Sequence, residues 1–252
     1  MKPWHKDPLF LVVSGLVIAG LIAGPWYLKR HRDRDEASLL LQSARCTLRA
    51  FGGAGSFDNT DIICEHRQPD VQGMSLAQRN ATLQEVARNL IRSASLRPSP
   101  DAYYFLGVAY VLMPDFANAL DAYRNAVAYG STRITAAVGV AGILLDQGRY
   151  GEAREAIARL ESFAPDGPKV ARTYSLILHV KQRDVTGVEK DATRLLEMNP
   201  ADPTGIAAKW LVYRIRKQDA EAAAWRDQKT AGNTQAEEAI AEWHKVLEQW
   251  PQ

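Results

Sequence analysis

Two cysteines, five histidines and one glycine-rich turn are the residues with which this chain could do chemistry. Cys46 and Cys64 flank the loop Phe51-Gly52-Gly53-Ala54-Gly55-Ser56-Phe57-Asp58-Asn59. Two thiols closing one local loop could form a disulfide, which needs an oxidising compartment such as a periplasm; the alternative is two unrelated buried thiols. Cys64-Glu65-His66 offers donors to a metal. With Cys46 the only other cysteine, a disulfide or plain structural role is the better reading. His5, His31, His66, His179 and His244 are scattered. Gly53-Ala54-Gly55-Ser56 follows no predicted strand and so does not read as a phosphate cradle. The sequence holds no G-x-x-x-x-G-K followed by Ser or Thr, no H-E-x-x-H and no G-x-S-x-G. No catalytic residue, cofactor or metal ligand is assigned, and an enzyme is not expected.

The elements around these residues begin with a hydrophobic run. The chain has 252 residues, 46% apolar and 24% charged, which excludes a disordered polymer and allows a membrane anchor plus one or two modest domains. With 31 basic against 29 acidic residues, no global field points to nucleic acid as a partner. Residues 8–28 carry no charge and are followed by Lys29-Arg30-His31-Arg32. A run of about twenty residues at about 1.5 Å rise spans a hydrocarbon core, and Trp4, Trp26 and Tyr27 stand where amphipathic rings favour headgroups. No small-residue cleavage site follows, so an uncleaved single-pass anchor in an inner (cell) membrane is expected, with the bilayer as a partner. Gly15, Ala19, Gly20 and Gly24 form a small-residue face that would let a second membrane helix pack closely, although glycine is common in membrane helices in any case. The Lys/Arg count after the span favours a cytoplasmic C-terminal domain. The basic N-terminal tail and the cysteine pair favour the periplasmic side, and the balance leans narrowly to the periplasm. The mixed-sign run Arg30 to Glu36 reads as a solvated juxtamembrane helix, or as a contact for anionic headgroups on a cytoplasmic face.

Beyond the anchor the chain reads as all-α. Residues 1–34 are anchor and basic flank, residues 35–74 a juxtamembrane helix and glycine-rich loop, and residues 75–252 a helical repeat domain. Leu39, Leu40, Ala44, Thr47 and Leu48 sit at helical spacing. Ser75 reads as an N-cap for a helix to about Ser95, ended by Pro98 and Pro100. From residue 100 a 34-residue period appears. Tyr103, Leu106, Gly107, Tyr110, Phe116, Ala119, Tyr123 and Ala126 recur as Ala137, Val140, Ala141, Leu144, Tyr150, Ala153, Ile157 and Leu160. A third unit keeps register at Ala171, Tyr174, Ser175 and Leu178, then slips by one residue at Val185, Val188, Ala192 and Leu195. Pro203 to about Gln228 reads as one long helix, separated by Gly232-Asn233-Thr234 from a last helix with Ala239, Trp243 and Val246. Small residues at Gly107, Ala119, Ala126, Ala141 and Ala153 would let paired helices approach closely. One pair buries too little alone, so the pairs must stack.

Tyr103-x-x-Leu106-Gly107-x-x-Tyr110, followed by Ala119, Tyr123 and Ala126, resembles the tetratricopeptide repeat family, and Asp115-Phe116 and Arg149-Tyr150 fit its inter-helix turn. The resemblance covers about residues 75–251. It implies an α-solenoid of helix pairs whose first helices line a concave groove that binds peptides or proteins. The groove positions are then Asp101, Tyr104, Val108 and Leu112; Thr135, Val138 and Leu145; and Lys169, Arg172, Leu176 and His179. Such a surface is apolar and aromatic at one end and basic at the other, suiting an extended peptide with an acidic end. The alternative is that these basic residues are simply solvated. Two functions follow: a membrane-tethered scaffold for a bacterial envelope assembly (secretion, pilus, polysaccharide export or cytochrome maturation), or a chaperone-like accessory that holds extended clients at a translocon or maturation complex.

Overall fold

The computed structural model describes the backbone of residues 8–52, 71, 73–163, 165–248 and 250, and the side chains of these from residue 29 on, except residue 52. Among the described residues eleven helices run in chain order: α1 (Pro8–Gly52), α2 (Leu76–Leu96), α3 (Pro100–Leu112), α4 (Phe116–Ala128), α5 (Ile134–Asp146), α6 (Tyr150–Leu160), α7 (Gly167–Lys181), α8 (Val185–Met198), α9 (Pro203–Ile215), α10 (Asp219–Thr230) and α11 (Thr234–Glu248). The chain divides into two compact units, Met1–Ser131 and Thr132–Gln252.

In the first unit α1 is continuous over 45 residues, so the expected hydrophobic run and the expected juxtamembrane helix are one helix. The side chains of residues 8–28, including Gly15, Ala19, Gly20 and Gly24, lie outside the described ones. Among the described residues no helix is long and apolar enough to cross a membrane. The second half of α1 is part of the fold: Ala37, Ala44 and Leu48 are buried, and α1 packs against α2 and α3. This helix pair carries the packed segment N-terminal of residue 75. Ser75 caps α2 as its position predicts. Its hydroxyl accepts from the Gln78 backbone N–H at 3.2 Å, and the Gln78 side chain accepts from the Ser75 N–H at 2.8 Å. Leu83, Val86 and Leu90 bury the facing stripe, each side chain contributing about 1.5–3 kcal/mol on leaving water.

α3 and α4 pack tightly against each other. Gly107 sits under the Tyr123 ring, and a Cβ built there would stand 2.6 Å from two ring carbons. Real Cβ atoms do not approach carbon so closely, so this pair requires glycine. Ala119 and Ala126 are fully buried on α4. Ser99 caps α3, and Asp115 caps α4, accepting from the Asn118 N–H at 3.2 Å.

In the second unit α5/α6, α7/α8 and α9/α10 repeat the pairing, and α11 packs on α9. Leu176 of α7, Val188, Ala192 and Leu195 of α8, and Ala208 and Val212 of α9 share one core cluster. Ile206, Trp210, Leu211, Ala222, Ala236 and Ile240 join α9, α10 and α11 in another. The one-residue slip in the third repeat lies in the helix: α7 ends at Lys181, 35 residues after the end of α5 at Asp146, and α8 begins at Val185, 35 residues after the start of α6 at Tyr150.

One element departs from the reading of the sequence. Residues 203–228 are two helices, α9 and α10, not one. Lys217 takes a left-handed φ of 59°, as Arg183 does in the α7–α8 turn and Gly148 (φ 69°) in the α5–α6 turn. The Gln218 N–H then reaches back to the Tyr213 carbonyl at 2.9 Å and closes the helix end. A lysine in place of the expected glycine concealed this break.

Candidate functional site

The positions expected to face a ligand divide between the two units. In the first, Asp101, Val108 and Leu112 on α3 are partly exposed. Tyr104 is a correction: it is 5% exposed, with its ring 6.0 Å from Tyr123 and 5.0 Å from Phe105. α3 packs against α1, α2 and α4, so a residue beside the packing stripe is still inside the core. The aromatic surface of this unit comes instead from residues not singled out as groove positions. Tyr103 stacks on Tyr129 with ring centroids 5.0 Å apart at 22°, and Val111, Phe116 and Tyr129 are exposed. Burial, and next the hydrogen bond with Tyr129, push the Tyr103 phenol above its ordinary range.

In the second unit Thr135 is exposed and Val138 partly so. Leu145 at 2% and Leu176 at 0% exposure are core residues, a second correction with the same cause: helices covered on several sides have no narrow buried stripe. Lys169, Arg172, Leu176 and His179 share one face of α7, as their spacing requires.

The basic end of that face meets carboxylates of its own chain. Asp191 of α8 is only 2% exposed and accepts from the Arg172 guanidinium at 2.8 Å. His179 Nε2 lies 3.6 Å from the same carboxylate, beyond hydrogen-bond reach, and Nδ1 lies 2.9 Å from Asp184. Asp202, 1% exposed, caps α9 through the Gly205 N–H at 2.9 Å and pairs with Lys169 at 2.9 Å. Lys169 and Arg172, the cations expected to meet an acidic peptide end, are therefore engaged by the α8–α9 turn and by α8. The sequence carried one signal of this. Asp191 falls in the buried stripe Val188, Asp191, Ala192 and Leu195, and a buried acid needs a cation. Gly187 completes the cluster, because a Cβ there would collide with the His179 ring and the Asp184 carboxylate.

A second ion cluster joins α8 to α9. Glu189 accepts from Arg216 at 2.6 Å and from Lys209 at 2.8 Å. These bonds, the Arg216 bond first, hold its carboxyl down at about 2. A depressed folded pKa gives stability that is fully present above the ordinary carboxylate range and is lost as pH falls toward the folded value. The wild type should therefore be more stable than Glu189→Gln at pH 6. That difference should shrink between about pH 4.5 and about pH 2, which urea melts of both proteins across this range will check.

Among the described residues no group of three or more His, Cys, Asp or Glu side chains could hold a metal ion. Cys46 lies on α1 and is disulfide-bonded. Cys64, Glu65, His66 and the glycine-rich turn at residues 53–56 lie outside the described residues.

Repeated antiparallel pairs, a glycine under an aromatic ring at the first crossing, and turns closed at corresponding positions leave little choice of architecture. The fold is of the tetratricopeptide type. A tetratricopeptide repeat model matches residues 110–177, which run from the end of α3 into α7. Two solved structures superpose on the chain. YrrB, described as a TPR protein with an unusual peptide-binding site, superposes with a TM-score of 0.50 at 14% identity, covering 65% of this chain and 84% of its own. PilF of Pseudomonas aeruginosa gives 0.53 at 14% identity, covering 87% and 92%. At such identities the likeness concerns the fold alone. No curated protein matches the sequence.

Proposed function

We propose that this chain is a membrane-tethered interaction module that gathers subunits or peptide segments of a bacterial envelope assembly. The tetratricopeptide fold carries the reading, because such folds support protein partners. The partly exposed apolar positions Val108 and Leu112 on α3, and Val138 on α5, are where a partner would contact each unit. The tether rests on the uncharged run at residues 8–28, which α1 continues without a break into the folded unit. A small-residue face there at Gly15, Ala19, Gly20 and Gly24 would serve a helix partner in the membrane. Tethering raises the partner's effective concentration with no added contact.

The test is in-cell photocrosslinking. The buried Tyr104 is unsuitable as a probe site, and Val108 takes its place. One dominant adduct is expected, and its identity names the assembly. A smear of many adducts would replace the scaffold reading with that of a holder of extended clients.

The periplasmic side is proposed from the cysteines. Cys46 is bonded and the chain has one other cysteine, Cys64. Freshly quenched cells should show no free thiol in this protein and a gel mobility that changes with reductant. Two free thiols with unchanged mobility would move the folded units to the cytoplasm.

A further inference from the structure

We propose that a cleft beside the middle of α1 is a phosphate site, and that the phosphate it takes belongs to the headgroup of an anionic membrane lipid. The cleft has a volume of about 720 Å³ and is lined by Lys29, Arg30 and Arg34 of α1, by Arg97 from the α2–α3 turn, and by His31, Asp33, Leu96 and Pro98. Four permanent cations thus surround one carboxylate. Sequence alone places three of them together, since Arg30 and Arg34 stand one turn apart and Lys29 is adjacent. The fold adds Arg97 from the far end of α2.

That addition is fixed by contacts one turn away. The Ser93 hydroxyl donates to the Ala37 carbonyl at 2.8 Å in a buried position, and Arg92 donates to Glu36 at 2.6 Å. These bonds hold the end of α2 to α1 and engage Glu36 with Arg92. Among the described residues Lys29, Arg34 and Arg97 have no carboxylate partner, and the proposal stands on these three.

Arginine forks match phosphate oxygens two at a time, which favours phosphate over a simple carboxylate. The position favours a lipid as its source, a step that rests on the tethering proposed above. Lys29 is the first charged residue after the run at 8–28. Residues 29–34 rise about 7.5 Å along the helix, which matches the roughly 5–8 Å of headgroup layer on each side of a bilayer core. Leu96 and Pro98 line the same cleft and give the glycerol and first methylenes of a lipid an apolar wall.

Native mass spectrometry of the full chain released from detergent micelles tests this with phosphatidylglycerol, phosphatidylcholine and inorganic phosphate as probes. One phosphatidylglycerol per chain should be retained, at least about tenfold over phosphatidylcholine, and an equal concentration of inorganic phosphate should not displace it. Arg34→Gln with Arg97→Gln should weaken retention by about 30-fold, since each surface cation contributes about fivefold toward an anionic membrane. Arg49→Gln with Arg88→Gln removes the same charge along the same two helices, two or more helical turns (about 12 Å) along them from the cleft residues, and should retain the lipid. All four arginines are exposed, so circular dichroism should show every variant folded. Equal retention by wild type and the cleft double variant would overturn the proposal. Displacement of lipid by inorganic phosphate would keep the phosphate site and overturn the lipid as its source. Alkaline extraction of membranes tests the tether separately. A chain released to the supernatant ends that reading, while the measurement in micelles still reads the cleft.

Discussion

Gly107→Trp should abolish the cooperative melting of the first unit, and Gly107→Ala should already lower it. The reason is the 2.6 Å that separates an added Cβ from the Tyr123 ring. Tyr123 is itself buried, between α3 and α4, so it cannot swing into solvent to make room. Overpacking a tight core by one methyl costs about 1–3 kcal/mol, and an indole exceeds any accommodation the pair can make. For Gly107→Ala a drop of about 5–15 °C in the melting temperature follows for a unit of this size. Tyr123→Leu supplies the internal control. With the ring gone, Gly107→Ala should cost much less, and the coupling between the two changes measures their contact. Unchanged melting of Gly107→Trp would remove the α3–α4 crossing and, with it, the repeat register.

Arg172→Met should be the most damaging single change in the second unit, at about 3–5 kcal/mol, because it strands the Asp191 carboxylate in a site that is 2% exposed. Asp191→Leu should cost less. Arg172 is 31% exposed, so water can take over its guanidinium once the carboxylate is gone. The double variant should recover most of the loss, since a buried ion pair replaced on both sides by apolar groups is often neutral. Urea unfolding of the two single variants and the double variant reads all three values. Additive single costs would mean that Arg172 and Asp191 act separately, which would return Arg172 to the list of residues available to an acidic partner.

This cycle bears directly on what the sequence could show of the candidate site. Lys169, Arg172 and His179 do lie on one face of α7, as their spacing dictates. They are met by Asp202, Asp191 and Asp184, which lie 33, 19 and 5 positions further along and belong to the next helix and its flanking turns. Spacing within one helix fixes direction, and says nothing of what the next helix brings opposite. The same limit explains Tyr104 and Leu145, while Leu176 of α7 is covered by Val188 and Ala192 of α8 and Ala208 of α9. α3 and α5 are apolar around much of their circumference, so their period marks no single buried stripe, and only the neighbouring helices decide which residues remain open.

Other features were legible because their physics is local. Ser75 with Gln78 announces a capping box, and the structure forms both of its hydrogen bonds. The 34-residue period gives the helix pairs from α3 to α8, and Gly107 marks the tight α3–α4 crossing because close approach requires a missing side chain. The slip in the third repeat was visible as a shifted period. The division between α9 and α10 was not, because Lys217 adopts a left-handed turn with no glycine or proline to signal it. The helix pairs of the 34-residue period and the Ser75 cap thus follow from the sequence, since each depends on residues within about one turn or one repeat. Burial on crowded helices, the neutralised face of α7 and the meeting of Arg97 with Lys29 and Arg34 were decided by the tertiary structure, because each depends on which distant helix is packed alongside.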